Sequence, residues 1–375
     1  MKIVILGSAY PLRGGGITTF NERLAREFQN KGLDTTIYSF SLQYPGILFP
    51  GKSQYSIEAA PKDLNIKSVV NSINPFNWIR IGNRLKKQRP DILVVRYWLP
   101  FMGPSLGTIL RKVKKNGHTK VICIADNIKP HEKRFGDKPF TKYFIKPIDA
   151  FIIMSEKVMS DLRSFTAMKP ATLLPHPLYD NFGEKVEKNV ARKKLGIELN
   201  EKVILFFGFV RKYKGLDILL DAMKLLKDQG KDYKLMIAGE FYDNKEVYDE
   251  QIDRLGIQDQ LLLFTDYVTD SDVKYYFCAS DLVVQPYRTA TQSGVTPVAY
   301  HFEIPMVVTN VGGLPDMVPD NKVGLVAQPD ARSISEKINI YFENGEEKYL
   351  PYLKEEKKKF AWSVMVNKIL ELAAT

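Results

Sequence analysis

The feature that most constrains this chain is an alternation of short apolar stretches with segments of helical periodicity, run through twice. Residues 2–6, 35–40, 91–96, 120–125, 149–155 and 173–174 read as strands, bounded by turn residues. Residues 17–32, 76–87, 107–116 and 156–165 read as helices between them. In the first of these, Phe20, Leu24, Ala25 and Phe28 share one face. The pattern restarts with strands at 202–207, 234–238, 261–264, 282–284, 305–309 and 324–326. Helices are expected at 214–229, 245–255, 270–279, 294–302, 334–343 and 354–373. Near-continuous apolar strands separated by helices specify parallel sheets covered on both faces. The chain is therefore predicted to be α/β, with two Rossmann-like parallel-sheet domains facing a cleft. The expected divisions are 1–180, 181–355, and a C-terminal helix at 356–375 packing back on the first domain. Residues 42–67, rich in Pro, Gly and Tyr, read as an irregular excursion, and the charged segment 180–200 as the interdomain linker.

Composition narrows the class. With 375 residues, 45% hydrophobic and 26% charged, the chain has ample core for two domains. No apolar run reaches the ~18 residues of a membrane span, and the N-terminus begins as a strand with no signal-peptide pattern. Cys123 and Cys278 sit far apart in apolar contexts and read as buried thiols of a reducing, cytoplasmic compartment. The four histidines lack metal-ligand spacing, and no nucleic-acid motif is present. The net charge of +11 is uneven: residues 1–180 hold 28 Lys and Arg against 13 acids, residues 181–375 hold 26 against 30. The basic first half is expected to meet an anionic partner. The basic helices at 76–87 and 107–116, beside an apolar loop at 97–102 containing Trp98, suit peripheral contact with an anionic membrane surface.

Candidate chemistry lies in the loops after strands. Gly14-Gly15-Gly16 follows the first strand and opens a helix, so Gly15 and Gly16 can let a ligand approach backbone N–H groups. It is neither a dinucleotide fingerprint nor a P-loop. Asp126 and His131 are acid–base candidates in the loop after residues 120–125. In the second half a polar loop, 287–293, feeds a helix with Pro297 in its first turn, a geometry that can hold phosphate. Lys214 opens a helix, where positive charge disfavours the helix and points to a functional reason.

Several of these pieces together resemble the retaining GT-B glycosyltransferases of glycosyltransferase family four, over nearly the whole chain. They are Gly208 with Lys214-Gly215, Ile237-Ala238-Gly239, the segment 264–268 with Tyr267 and Val268, and Pro305 to Pro315, which reads PMVVTNVGGLP. The first-half glycine loop and Asn127 to Glu132 are similar as well. The resemblance departs in one place that matters. Ala290 and Val298 stand where the family carries its Glu-x7-Glu pair, in an Ala-Thr-Gln-Ser-Gly-Val variant, and Asp126 stands for a first-domain histidine.

The resemblance implies transfer of a sugar, with retention and without a metal, from a UDP- or GDP-linked donor. The acceptor would be a glycan or a polyprenyl- or other lipid-linked molecule in cell-surface polysaccharide or glycolipid assembly. The nucleotide sugar is a co-substrate and no cofactor is expected. Lys214 and Arg211 are expected to stabilise the leaving diphosphate, with Asp126 beside the reacting sugar. Gly15, Gly16, Gly208, Glu240, Tyr267, Val268, Thr291, Gln292, Ser293, Gly294 and Val295 would hold the donor, and His131 and Trp98 the acceptor side. Two alternatives stay open: a catalytically degenerate sugar-nucleotide binding protein, since the two glutamates are missing, and a GT-B nucleotide-sugar epimerase.

Overall fold

The computed structural model describes the chain except residues 14–15, 47–53, 57–58, 131–135, 179, 181, 267 and 291–292. It divides into two compact units, residues 1–175 with 362–375, and residues 176–361.

The first unit runs β1 (Lys2–Leu6), α1 (Gly16–Asn30), β2 (Asp34–Leu42), β3 (Asn65–Asn71), α2 (Pro75–Gln88), β4 (Ile92–Tyr97) and α3 (Gly103–Lys114). It continues with β5 (Lys120–Ala125), α4 (Asp137–Ile145), β6 (Ala150–Ile153), α5 (Glu156–Arg163) and β7 (Ala171–Leu173). All pairings between these strands are parallel, in the order β3-β2-β1-β4-β5-β6-β7. Every residue of β4 is buried, as a central strand covered on both faces requires. One layer packs Ile81 and Leu85 of α2, Leu106 to Val113 of α3, and Phe144 of α4 on the sheet. The opposite layer is α1 with a C-terminal helix, Trp362 edge-on to Phe20 at 4.8 Å between ring centroids.

The second unit runs α6 (Lys188–Leu195), β8 (Lys202–Phe207), α7 (Leu216–Asp228), β9 (Tyr233–Ala238), α8 (Lys245–Leu255), β10 (Leu261–Phe264) and α9 (Val273–Ala279). It continues with β11 (Leu282–Gln285), α10 (Val295–Phe302), β12 (Met306–Thr309), α11 (Leu314–Met317), β13 (Gly324–Ala327), α12 (Ala331–Asn344) and α13 (Leu350–Lys357). Its six strands are parallel, in the order β10-β9-β8-β11-β12-β13. Strand order reverses between β1 and β4 in one sheet and between β8 and β11 in the other, the positions where doubly wound sheets open a crevice at the strands' carboxyl ends.

Four local expectations are corrected. The segment 180–200 is not only linker, because α6 lies inside it. The buried side chain of α6 that anchors it is an arginine: Arg192 donates to Ala279 O at 3.0 Å and pairs with Asp281 at 2.9 Å. An edge strand, β3, begins within the supposed excursion. A helix, α4, occupies residues left unassigned. The closing helix at 354–373 is two helices, α13 and α14 (Trp362–Ala374), separated by a tight turn at 358–360 and extended Ala361. Among the described residues no helix is long and apolar enough to cross a membrane, and both cysteines are buried and free.

Candidate functional site

The second unit carries a pocket of about 360 Å³ at the carboxyl ends of β8, β9 and β11. Its floor is Phe207-Gly208-Phe209 after β8 and Ala238-Gly239-Glu240 after β9. These two turns touch: Gly208 N donates to Ala238 O, and Val210 N donates to Glu240 O, each at 2.8 Å. A Cβ on Gly239 would lie 2.6 Å from Gly208 O, so the approach needs glycine. The opposite wall is Tyr287 after β11, with Ser293, Gly294, Val295 and Val298 at the start of α10. Val268, Asp270 and Val273 close the third side.

Lys214 lies in this pocket. It ends a single tight turn, 212–214, and Gly215 in the left-handed conformation (φ 70°) then starts α7. The side chain is buried and makes no hydrogen bond or ion pair among the described residues. Its ammonium sits 5.9 Å from the centroid of the Tyr287 ring. Burial lowers its pKa to about 8, with the positive charge of Arg211 adding to the effect. A buried cation without a counter-ion is costly, and an anion in the pocket would offset that cost. Tyr287 is held by a hydrogen bond with Ser293 Oγ (3.2 Å) and by an edge contact with Tyr213 (5.9 Å). Burial pushes its phenol far above the usual range, so it stays neutral.

The residues named from sequence divide into four groups, the last of which (Gly16, Trp98 and Asp126) lies in the first unit. Lys214, Gly208, Glu240, Val268, Ser293, Gly294 and Val295 all line the pocket. The Val295 N–H is already taken by Ser293 Oγ at 3.1 Å, from two residues before the helix begins. Arg211 is exposed, does not line the pocket, and lies 5.1 Å from the centroid of the Tyr242 ring. Gly15, His131, Tyr267, Thr291 and Gln292 fall outside the described residues. Sequence reasoning passed over Tyr287, Tyr213, Phe207, Phe209 and Asp270, all of which line the pocket. The aromatic residues carried a usable signal, since each immediately follows or ends a strand or flanks Lys214.

In the first unit, Asp126 follows β5 and is held by Arg96 from β4. Arg96 Nε donates to Asp126 Oδ2 at 2.6 Å, and Nη2 bonds the other oxygen. The guanidinium is buried and stacks 3.7 Å over the Phe20 ring of α1. Gly16 is the first residue of α1. Trp98 is half-buried: its Nε1 donates to Tyr44 Oη at 2.7 Å and its ring stands edge-on to Phe40. Residues 97–102 are therefore not an exposed aromatic loop, because Tyr97 and Met102 are fully buried and Trp98 and Phe101 pack on the core. Among the described residues no cluster of three His, Cys, Asp or Glu is arranged to hold a metal.

The family model described as glycosyl transferases group 1 matches residues 187–360, which lie within the second unit. The putative teichuronic acid biosynthesis glycosyltransferase TuaC of Bacillus subtilis (strain 168) is 21% identical over 364 residues, covering 91% of this chain and 89% of that protein. The lipopolysaccharide core biosynthesis mannosyltransferase LpsB of Rhizobium meliloti (strain 1021) is 27% identical over 199 residues, covering 51% of this chain and 54% of that protein. The structure of Anabaena HepE in complex with UDP superposes over the whole of both chains with a TM-score of 0.70 at 15% identity. This likeness defines the fold: two Rossmann-like parallel-sheet units of the GT-B class.

Proposed function

We propose that this chain is a retaining, metal-independent glycosyltransferase. It moves a sugar from a UDP- or GDP-linked donor to a glycan or lipid-linked acceptor in cell-surface polysaccharide or glycolipid assembly, at the cytoplasmic face of the membrane. The observation that carries this reading is the buried Lys214 ammonium, without a counter-ion among the described residues, in the pocket at the β8/β11 reversal. The domain match over that unit and the printed functions of TuaC and LpsB support it.

In the proposed reaction the bond from the anomeric carbon to the diphosphate oxygen breaks as the acceptor oxygen bonds to the same face. The acceptor proton passes to the departing diphosphate, so no protein nucleophile is needed. Lys214 stabilises the charge that develops on the diphosphate. With Ala290 and Val298 in place of carboxylates, Glu240 and Asp270 are the carboxylates that line the pocket and can accept hydrogen bonds from ligand hydroxyls.

The test is calorimetric titration of UDP, GDP and ADP, with EDTA present, into the wild type and Lys214→Ala. Selective binding of one nucleotide that the variant loses is the expected result. Absence of binding by all three would remove the donor site. Proton NMR of the product then reads the anomeric configuration, and inversion would overturn retention.

A further inference from the structure

The side-by-side helices α2, α3 and α4 present a face whose chemistry the pocket does not use. Along α2 the outward stripe begins with Phe76 and Ile79, 85% and 41% exposed, and continues with Arg80, Arg84 and Lys87. Ile73, just before the helix, is exposed beside them. A phenylalanine so placed forgoes about 1.5–3 kcal/mol of burial. Lone exposed apolar residues are ordinary, but this one shares a tip with two isoleucines. Across α3, the exposed Phe140 and Tyr143 of α4 repeat the arrangement with Lys138 and Lys142 around them. Gly107 leaves room for the Tyr143 ring, over which Arg111 stacks at 3.6 Å.

Charge says what covers this face. From residue 65 to 120 every formally charged residue except Asp91 is Lys or Arg. Asp91 is already engaged with Lys2 N and His118. Arg80, Arg84, Lys87, Lys138 and Lys142 form no ion pair among the described residues. Apolar side chains at one end of a helix and a basic stripe along the rest match a bilayer edge, with acyl chains taking the first and anionic headgroups the second. A second copy docking through the same face would set positive against positive.

We infer that the α2–α4 face of the first unit is a docking surface for an anionic lipid bilayer. Phe76 and Ile79 insert, and Arg80, Arg84 and Lys87 meet headgroup phosphates. Crossover helices run antiparallel to their strands, so the apolar tips lie at the carboxyl edge of the sheet, the edge that carries Trp98 and Asp126. The surface would thus present a lipid-linked acceptor to that edge, and this last step rests on the glycosyl-transfer reading.

The experiment is co-sedimentation of the full chain with vesicles of equimolar phosphatidylglycerol and phosphatidylcholine, and with phosphatidylcholine alone. Wild type should bind the anionic vesicles at low ionic strength and release them near 1 M salt, where the Debye length is ~3 Å. Arg80→Gln with Arg84→Gln should weaken partition roughly fivefold per removed charge, and Phe76→Ser with Ile79→Ser should also weaken it. UDP, GDP and ADP titrations are run on each protein and should match wild type. No binding to anionic vesicles, partition unchanged in both variants, or a change in self-association instead of vesicle binding would overturn the surface. Vesicle binding with no nucleotide binding in any protein would uphold the surface and overturn the transferase reading.

Discussion

The Lys214 ammonium rests against the backbone of Gly208: a Cβ built on Gly208 would lie 2.9 Å from Lys214 Nζ. Gly208 also has φ +90°, a conformation that side chains resist. Gly208→Ala should therefore act twice. The backbone strain should cost about 1–2 kcal/mol of stability. The added methyl should also displace the ammonium from the pocket floor and weaken the proposed nucleotide binding. Urea denaturation and calorimetry on one preparation read both effects. An alanine variant with wild-type affinity would mean that Lys214 holds its ligand from elsewhere.

Gly215 fixes where that lysine begins. A Cβ there would meet Pro286 O at 2.0 Å, which no side-chain motion can relieve because both partners are backbone. Gly230 has nearly the same φ, 73° against 70°, but nothing within 4 Å. Gly230→Ala isolates the conformational cost, about 1 kcal/mol. Gly215→Ala should cost about 3 kcal/mol, the excess being the clash. Equal shifts of the urea midpoint in the two variants would show that the turn at 212–215 moves freely away from β11.

Much of this geometry was legible in the sequence because apolar residues carry periodicity. β4 and β8 are nearly unbroken apolar runs, and α7 buries Leu216, Leu219, Leu220, Met223 and Leu226 on one face. Two of the misses share a cause: polar side chains doing the work of core residues. Arg192 anchors α6 through hydrogen bonds, so a hydrophobicity pattern over 188–195 shows nothing. Arg96 follows an apolar run within β4 and carries no mark of its role in the sequence, yet it is buried to 98% against Phe20 and Asp126. Lys214 and Gly208 were legible because a cation and a glycine follow one strand closely. Tyr287 was not, since its part in the pocket depends on Ser293, six residues further on, and on Tyr213 in a different loop.

Binding of the proposed diphosphate should depend on pH through Lys214. Its pKa in the free protein is about 8, below the ordinary 10.5, chiefly from burial. A bound anion raises it again, so the complex holds the proton that the free protein loses above about 8. Affinity should be level below pH 8 and fall by up to roughly tenfold per unit above it. The contribution to stability has the opposite sign. The unfolded chain holds this proton more tightly, so the buried charge destabilises fully below about 8 and less as pH rises towards 10.5. Lys214→Met should flatten the affinity profile and raise stability at neutral pH. A profile in Lys214→Met that still falls above pH 8 would assign the proton to another group.

The Arg96–Asp126 pair separates a structural from a chemical role for Asp126. Both carboxylate oxygens face the guanidinium, whose Nη1 is buried without a hydrogen-bond partner among the described residues. Removing the carboxylate strands a buried cation, so Asp126→Ala should cost about 3 kcal/mol, the low end for a broken buried pair because Asp126 is partly exposed. Arg96→Met with Asp126→Leu removes both charges and the acceptor oxygens and should recover most of that loss, which a double-mutant cycle in thermal denaturation measures. If the pair only braces the sheet, the double variant should carry out the proposed sugar transfer at the wild-type rate. If Asp126 also accepts a hydroxyl of the reacting sugar, the double variant should be stable and at least tenfold slower in kcat. A stable double variant with unchanged kcat and KM would confine Asp126 to the fold.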